Sequence, residues 1–202
     1  MKTLSLAWIF KFFKLGLLPI AYLIMILVVF FLPFFSAEEY SISHNTTSHL
    51  GAQNTPNAWI MNVVFVLLGI ASIIDGWERL PRYWMHKAVI TIFGISLILT
   101  AFFQHAPIIP GAIFSEFEDG LHSKFATITG FSFTFFTVAA AFVESTKLRK
   151  VIALGIGVLA ILLTLLIFNL PDLAGVWQRI MFIAMFGWLM FFLYTINSAH
   201  QS

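Results

Sequence analysis

The chain has 202 residues, 60% of them hydrophobic and 10% charged, with a mean hydropathy of +0.94. Soluble domains carry about 25% charged residues, so this polar material cannot cover a water-facing surface, and a soluble enzyme or a disordered tail is excluded. Eleven Lys and Arg against nine Asp and Glu give no basic footprint for nucleic acid, and zero Cys removes disulfides, thiolate metal sites and Cys nucleophiles.

Six charge-free apolar runs follow one another, at 15–35, 58–74, 88–104, 125–143, 151–170 and 180–196. About 20 apolar residues cross the roughly 30 Å of bilayer hydrocarbon, and the shorter runs extend into amphipathic flanks. The runs lack the alternation of a transmembrane barrel, and backbone in lipid must satisfy its own hydrogen bonds. The expected fold is all-α, a polytopic bundle of six helices forming a single domain over 1–202. Lys2, Lys11 and Lys14, an apolar run and Phe35-Ser36-Ala37 have the outline of a signal peptide. The run exceeds the about 7–15 residues of a signal core, so it reads as a retained span.

Positive charge sets the orientation. Lys2, Lys11, Lys14, Arg79, Arg82, Lys87, Lys147, Arg149 and Lys150 fall on one side, Lys124 and Arg179 on the other. Both termini are therefore expected in the cytoplasm. Acids lean outward, with Glu38, Glu39, Glu116, Glu118, Asp119 and Asp172 outside and Asp75, Glu78 and Glu144 inside. Two outer loops are long, 36–57 and 105–124. The inner stretch from Trp77 to Trp84 reads as an interfacial anchor, with aromatics and Arg at headgroup depth. There is no internal repeat of the kind an inverted-repeat transporter carries.

No Asp, Glu, Lys, Arg or His lies well inside any of the six runs, which argues against an ion-coupled carrier. Polar content there is hydroxyl and amide. Asn62 lies near the outer end of the second run; the fourth carries Thr127, Thr129, Ser132, Thr134 and Thr137 with Gly130 and Ala139 to Ala141. Thr127, Gly130, Thr134 and Thr137 share one helix face, suited to close helix packing or to the wall of a polar path.

The outer side gathers His44, His49, His105 and His122 with Glu116, Glu118, Asp119 and Arg179. His105, Asp119 and His122, or His49 in place of one, could supply three zinc ligands, and a metal-bound hydroxide could attack an amide or ester at headgroup level. The competing reading is solvated loop residues, with Asp119 capping the fourth helix and Arg179 paired to an outer acid. A third is a pH-sensitive patch, because imidazole titrates near pH 6.5. Arg179 opens the last span, where a cation opposes the helix dipole, so it calls for a partner: Glu116, Glu118, Asp119 or an anionic lipid headgroup. Snorkelling to the interface is the alternative. Asn45-Thr46-Thr47 forms a glycosylation triplet.

Tyr40-Ser41-Ile42-Ser43, Ser48-His49-Leu50-Gly51-Ala52 and Pro56-Asn57-Ala58-Trp59-Ile60-Met61-Asn62 lead into the second span. His122-Ser123-Lys124-Phe125-Ala126 leads the fourth, and Val176-Trp177-Gln178-Arg179-Ile180 with Trp188 marks the last. This pattern resembles the six-span membrane family called domain of unknown function 998. More distantly it is similar to the damage-regulated autophagy modulator and FGF-receptor-activating-protein group. His49 stands where that pattern more usually has an acid or another polar residue. The resemblance implies six helices and an outer loop folded over the bundle, and no reaction. A comparison with seven-span zinc hydrolases of the alkaline-ceramidase type fails, since 180–196 lacks their His-x-x-x-His pair.

The reading that follows is an integral protein of the cell membrane, in a bacterium the inner membrane. It binds membrane lipids or a membrane-protein partner through an outer crown of Ser48, His49, Asn62, Glu118, Asp119, His122 and Arg179. It needs no cofactor. The alternatives are a zinc-dependent hydrolase using His105, Asp119 and His122, and a small-solute transporter or channel.

Overall fold

The computed structural model describes residues 16–196, so Lys2, Lys11, Lys14, Leu15 and both chain ends lie outside the described residues. Among the described residues there are seven α-helices: α1 (Leu18–Phe31), α2 (Thr47–Leu50), α3 (Ala58–Arg79), α4 (Trp84–Phe102), α5 (Glu116–Val143), α6 (Lys147–Asn169) and α7 (Ala174–Thr195). A 3-10 turn, Leu32–Phe35, prolongs α1, and another, Pro171–Leu173, leads into α7. There is no strand among the described residues. Six helical segments are long and apolar enough to cross a membrane: α1 with its turn, α3 to α6, and α7 with its turn. The chain is a multi-pass all-α membrane protein.

The long connections 36–57 and 103–115 emerge at one end, the cap end. The opposite, basic end carries Arg79, Arg82, Lys87, Lys147, Arg149 and Lys150. The helices outrun the charge-free runs, because a helix continues through a charged residue when a neighbour supplies its partners. Thus α3 reaches Arg79, α4 starts at Trp84, α5 starts at Glu116 and α7 starts at Ala174. Ser115 caps α5, its Oγ accepting from the Glu118 amide at 3.3 Å, with Glu116, Glu118 and Asp119 matching the positive end of the dipole. The helices thereby take in residues that the charge-free runs leave out: Asp75, His86, His122 and Arg179 lie toward their ends and are buried. Asp75 accepts from the amides of Leu17 (3.0 Å) and Leu18 (2.8 Å) and from the Tyr194 hydroxyl (2.7 Å).

Aromatic side chains fill the interior. Phe65, Phe93, Phe133, Phe136, Phe186 and Phe192 are fully buried, and rings of α4, α5 and α7 meet at 5.8 Å (Phe93–Phe133), 5.8 Å (Phe93–Phe186) and 5.9 Å (Phe133–Trp188). These separations suit edge-to-face and tilted pairing. The hydroxyls of α5 serve packing and local bonding. Thr129 Oγ1 donates to Ser96 Oγ on α4 at 2.9 Å, while Thr127 and Thr134 donate to carbonyls of their own helix. Thr137 is fully buried where α5 meets α6 at Gly157. Outward, α6 presents Leu154, Val158, Ile161, Leu162, Leu165 and Phe168 to lipid. Trp77 and Trp84 are exposed at the basic end, where Trp77 Nε1 donates to Thr91 Oγ1 at 2.8 Å and Lys87 lies 5.0 Å over the Trp77 ring.

With lipid on both sides of the comparison, helix association draws on close contact rather than on expulsion of water. α3 and α4 approach closely, so that a Cβ at Gly69 would lie 2.6 Å from the Gly94 carbonyl oxygen and one at Gly94 would lie 2.6 Å from that of Gly69. Backbone cannot yield as a flexible side chain does, so a larger residue must part the helices. Gly94→Val is expected to cost about 1–3 kcal/mol, read as a lowered thermal unfolding midpoint in detergent. Gly120→Val, where an added Cβ meets nothing within 4 Å, should fall well short of that loss.

Candidate functional site at the cap end

The 36–57 connection is folded back onto the bundle by side chains of the first turns of α7. Arg179 is 3% exposed. Its Nε donates to Val29 O (3.2 Å), its Nη1 to the carbonyls of Ile42 (2.9 Å), Asn45 (3.1 Å) and Gly175 (2.9 Å), and its Nη2 to the Tyr40 hydroxyl (2.6 Å). Tyr40 in turn is placed to donate to Asn45 O (3.1 Å) or Thr46 O (3.0 Å). Burial pushes the Tyr40 phenol up from its ordinary value, with the Arg179 charge opposing. Gln178 Oε1 accepts from both the amide (2.6 Å) and the hydroxyl (2.7 Å) of Thr47, and the Gly175 amide donates to Ser43 O at 2.8 Å. A Cβ on Gly175 would collide with the carbonyls of Ile42 and Asn45, so glycine is needed for this approach.

Gln53 joins the two cap connections. Its amide donates to His105 O (2.9 Å), its Nε2 to Gln104 O (3.0 Å) and Ser115 O (3.1 Å), and its Oε1 accepts from the Ser115 amide (2.8 Å). Asn62 Nδ2 donates to Gly51 O at 3.1 Å. Asn45 Oδ1 accepts from the Ser41 amide at 2.7 Å, so the glycosylation triplet is folded into this turn.

Three imidazoles stand in a row beneath the cap, the first pair tilted and the second edge to face. His49 of α2 and His105 have ring centroids 4.7 Å apart; His105 and His122 of α5 lie 5.0 Å apart. Backbone contacts set the tautomers. His122 Nδ1 lies 3.0 Å from Thr100 O and 2.9 Å from Phe103 O, and therefore carries a proton. His49 Nδ1 accepts from the Thr46 amide at 3.1 Å and stands within 3.0 Å of Thr46 Oγ1, which closes a capping box on α2. His105 Nδ1 lies 3.2 Å from Asp119 Oδ1, which also accepts from the Ala106 amide at 2.7 Å. Burial foremost, then the neighbouring His105 and His122, push His49 down to about 4, with Asp119 opposing.

The structure thus brings together His49, His105, Asp119 and His122 but does not arrange them as a ligand sphere. Among the described residues no group of three or more His, Asp or Glu is disposed to hold a metal ion. Nδ1 of His122 and of His49 face backbone groups, and one Asp119 oxygen is shared between His105 and Ala106. Other expectations are corrected. Arg179 meets four carbonyls and a phenol rather than Glu116, Glu118, Asp119 or a headgroup. Asp119 is not the cap of α5; Ser115 is. His122 is buried rather than solvated, whereas His44 is exposed, 4.0 Å from Asp172. Ser48 is buried in α2 and Glu118 is half-buried at the start of α5. Tyr40, Gln53, Gly175 and Gln178 escaped sequence reasoning as site residues. Two signals pointed to them, Tyr40 heading the first quoted motif and Gly175 lying one helical turn before an adversely placed Arg.

Replacing Arg179 by Leu would strand the carbonyls of Val29, Ile42, Asn45 and Gly175. A buried acceptor left unpaired costs about 1–3 kcal/mol, so Arg179→Leu should expose 36–57 to limited proteolysis and lower the unfolding midpoint. Arg179→Lys should protect only partly, because an ammonium lacks the planar fork.

Comparison with known proteins comes to one finding. The family model described as "Protein of unknown function (DUF998)" matches residues 19–194. No curated protein and no solved structure matches the chain. The matched range runs from the first turn of α1 to the end of α7, so the chain belongs to the DUF998 family of proteins of unknown function.

Proposed function

We propose that this is a non-catalytic, multi-pass protein of the cell membrane, in a bacterium the inner membrane, that binds a lipid headgroup or a membrane-protein partner at its cap end. Both termini then face the cytoplasm and the cap faces outward. The observation that carries this reading is a folded polar cap beside an apolar collar. Side chains of His105 and Asp119 remain 30% exposed, and Ile113, Phe114 and Phe117 project nearby from the 103–115 connection and the start of α5. Such a rim matches an amphiphile, a polar head against the imidazole row and acyl chains against the collar.

Charge narrows the ligand. Glu38, Glu39, Glu116, Glu118, Asp119 and Asp172 lie at this end against Lys124, and Arg179 is sealed by carbonyls. A headgroup amine or hydroxyl is favoured over an anionic phosphate ester without a compensating cation. The zinc hydrolase draws no support, since among the described residues no three His, Asp or Glu are disposed to hold a metal ion, and the transporter none from hydroxyls bonded within the bundle.

Two measurements check this. Gently purified protein in native mass spectrometry should retain an amine-bearing phospholipid, and Phe117→Asp should lower that occupancy several-fold; no lipid above that of a control membrane protein would sink the reading. Because the natural chain lacks Cys, Asn54→Cys should react with an impermeant maleimide in intact cells. Lys147→Cys should react only after permeabilisation, and the reverse pattern would overturn the orientation.

A further inference from the structure

Of the three neighbouring histidines, His49 alone has its Nδ1 lone pair taken by a backbone amide, a bond it loses by gaining a proton there, while Thr46 Oγ1 at 3.0 Å remains as an acceptor. Neutral His49 uses the Nδ1 lone pair to accept the Thr46 amide, so its mobile proton sits on Nε2. An imidazolium carries N–H on both nitrogens and would turn a donor toward a donor. His122 already bears its Nδ1 proton toward Thr100 O and Phe103 O, and His105 Nδ1 faces Asp119, so both keep their bonds when charged. We infer that His49 is a pH-sensitive latch: neutral, it closes the capping box of α2 and packs that turn of the cap against His105, and protonated, it releases the turn. The inference goes beyond the binding proposed for this end and stands whatever the cap binds.

The surroundings reinforce the effect. Charge reaches His49 from His105 in the second connection and from His122 and Asp119 of α5. From α7, which also packs on α2, come the neutral Gln178 on Thr47 and the fixed cation Arg179, bonded to Asn45 O three residues before Ser48. The third neighbour, α3, offers Asn62 here, its ionisable residues Asp75, Glu78 and Arg79 being at the basic end. Within the cap, Glu38, Glu39 and His44 are exposed. One carboxylate, Asp119, thus faces three imidazoles, enough to balance one positive charge, and it already lies against His105. A second proton within 5.0 Å has no counter-ion.

The sign follows from linkage. His49 in the closed cap has its pKa lowered from 6.5 to about 4, so the open cap binds more protons between those values. Closure is then fully favoured above about pH 6.5 and weakens as pH falls toward about 4.

Hydrogen exchange of the 40–50 segment in detergent-solubilised full-length protein, corrected for intrinsic pH dependence, tests the latch. The wild type should lose protection about tenfold or more between pH 7.5 and 5. His49→Gln keeps a side-chain acceptor for the capping box without titrating, and it should stay protected at both values. The exposed control His44→Gln should respond as the wild type does. Equal wild-type protection at both pH values, or opening of His49→Gln in step with the wild type, overturns the inference. Should His49→Gln prove open at pH 7.5, the wild-type protein decides through the His49 ring resonances. A titration of His49 coincident with loss of protection supports the latch, and opening without it refutes the latch.

Discussion

A guanidinium with no acid beside it organises the cap end. The connection from Ser36 to Asn57 is largely irregular chain at the rim of a membrane bundle, where carbonyls shielded from water need donors. Arg179 supplies them, reaching α1 at Val29, the cap at Ile42 and Asn45, and its own helix at Gly175. Taking a cation out of water costs several kcal/mol, and carbonyl dipoles converging on the fork offset it where a carboxylate otherwise would. Tyr40 completes the shell and passes the constraint on to Asn45 and Thr46, next to the helix that carries His49.

The basic end uses the same device with the opposite sign. Asp75, buried on α3, accepts the amides of Leu17 and Leu18, which open α1. Val29, whose carbonyl receives Arg179, lies in the last turn of that same helix. Helix termini leave N–H groups at one end and C=O groups at the other without intrahelical partners. Charged side chains borrowed from α3 and α7 therefore serve both ends of α1, the anion Asp75 at the positive N-terminal end and the cation Arg179 at the negative C-terminal end. This matters because α1 has no acid in its first turn and no base in its last. Its placement is a tertiary property.

That division explains what was legible beforehand. Six spans could be read directly, because a continuous charge-free run has few alternatives in hydrocarbon. Their ends could not, because whether Asp75 or Arg179 interrupts a helix depends on partners over a hundred residues away in the chain, Tyr194 for the one and Ile42 for the other. Gathering of His49, His105, Asp119 and His122 at one end followed from topology alone. Their roles did not, since the tautomer of His122 is fixed by carbonyls of Thr100 and Phe103 that no spacing rule links to it. Arg179 was rightly singled out by its adverse position on the helix, and wrongly partnered, because acids are visible in a sequence and carbonyls are not.

Membership of a family without an assigned activity leaves the question of function to geometry. The interior between α4, α5 and α7 is occupied by aromatic rings in contact with one another, and the hydroxyls of α5 are bonded within the bundle. At the cap, by contrast, the side chains of His105 and Asp119 keep exposed polar atoms. The cap cannot shift independently of the spans, for Arg179 holds α1, the 36–57 connection and α7 through one rigid plane of nitrogen atoms. While those bonds persist the three move as one body. The α2 turn is held differently, by Gln178 and by the lone pair of a single imidazole, so it is the part of the cap whose closure responds to protons.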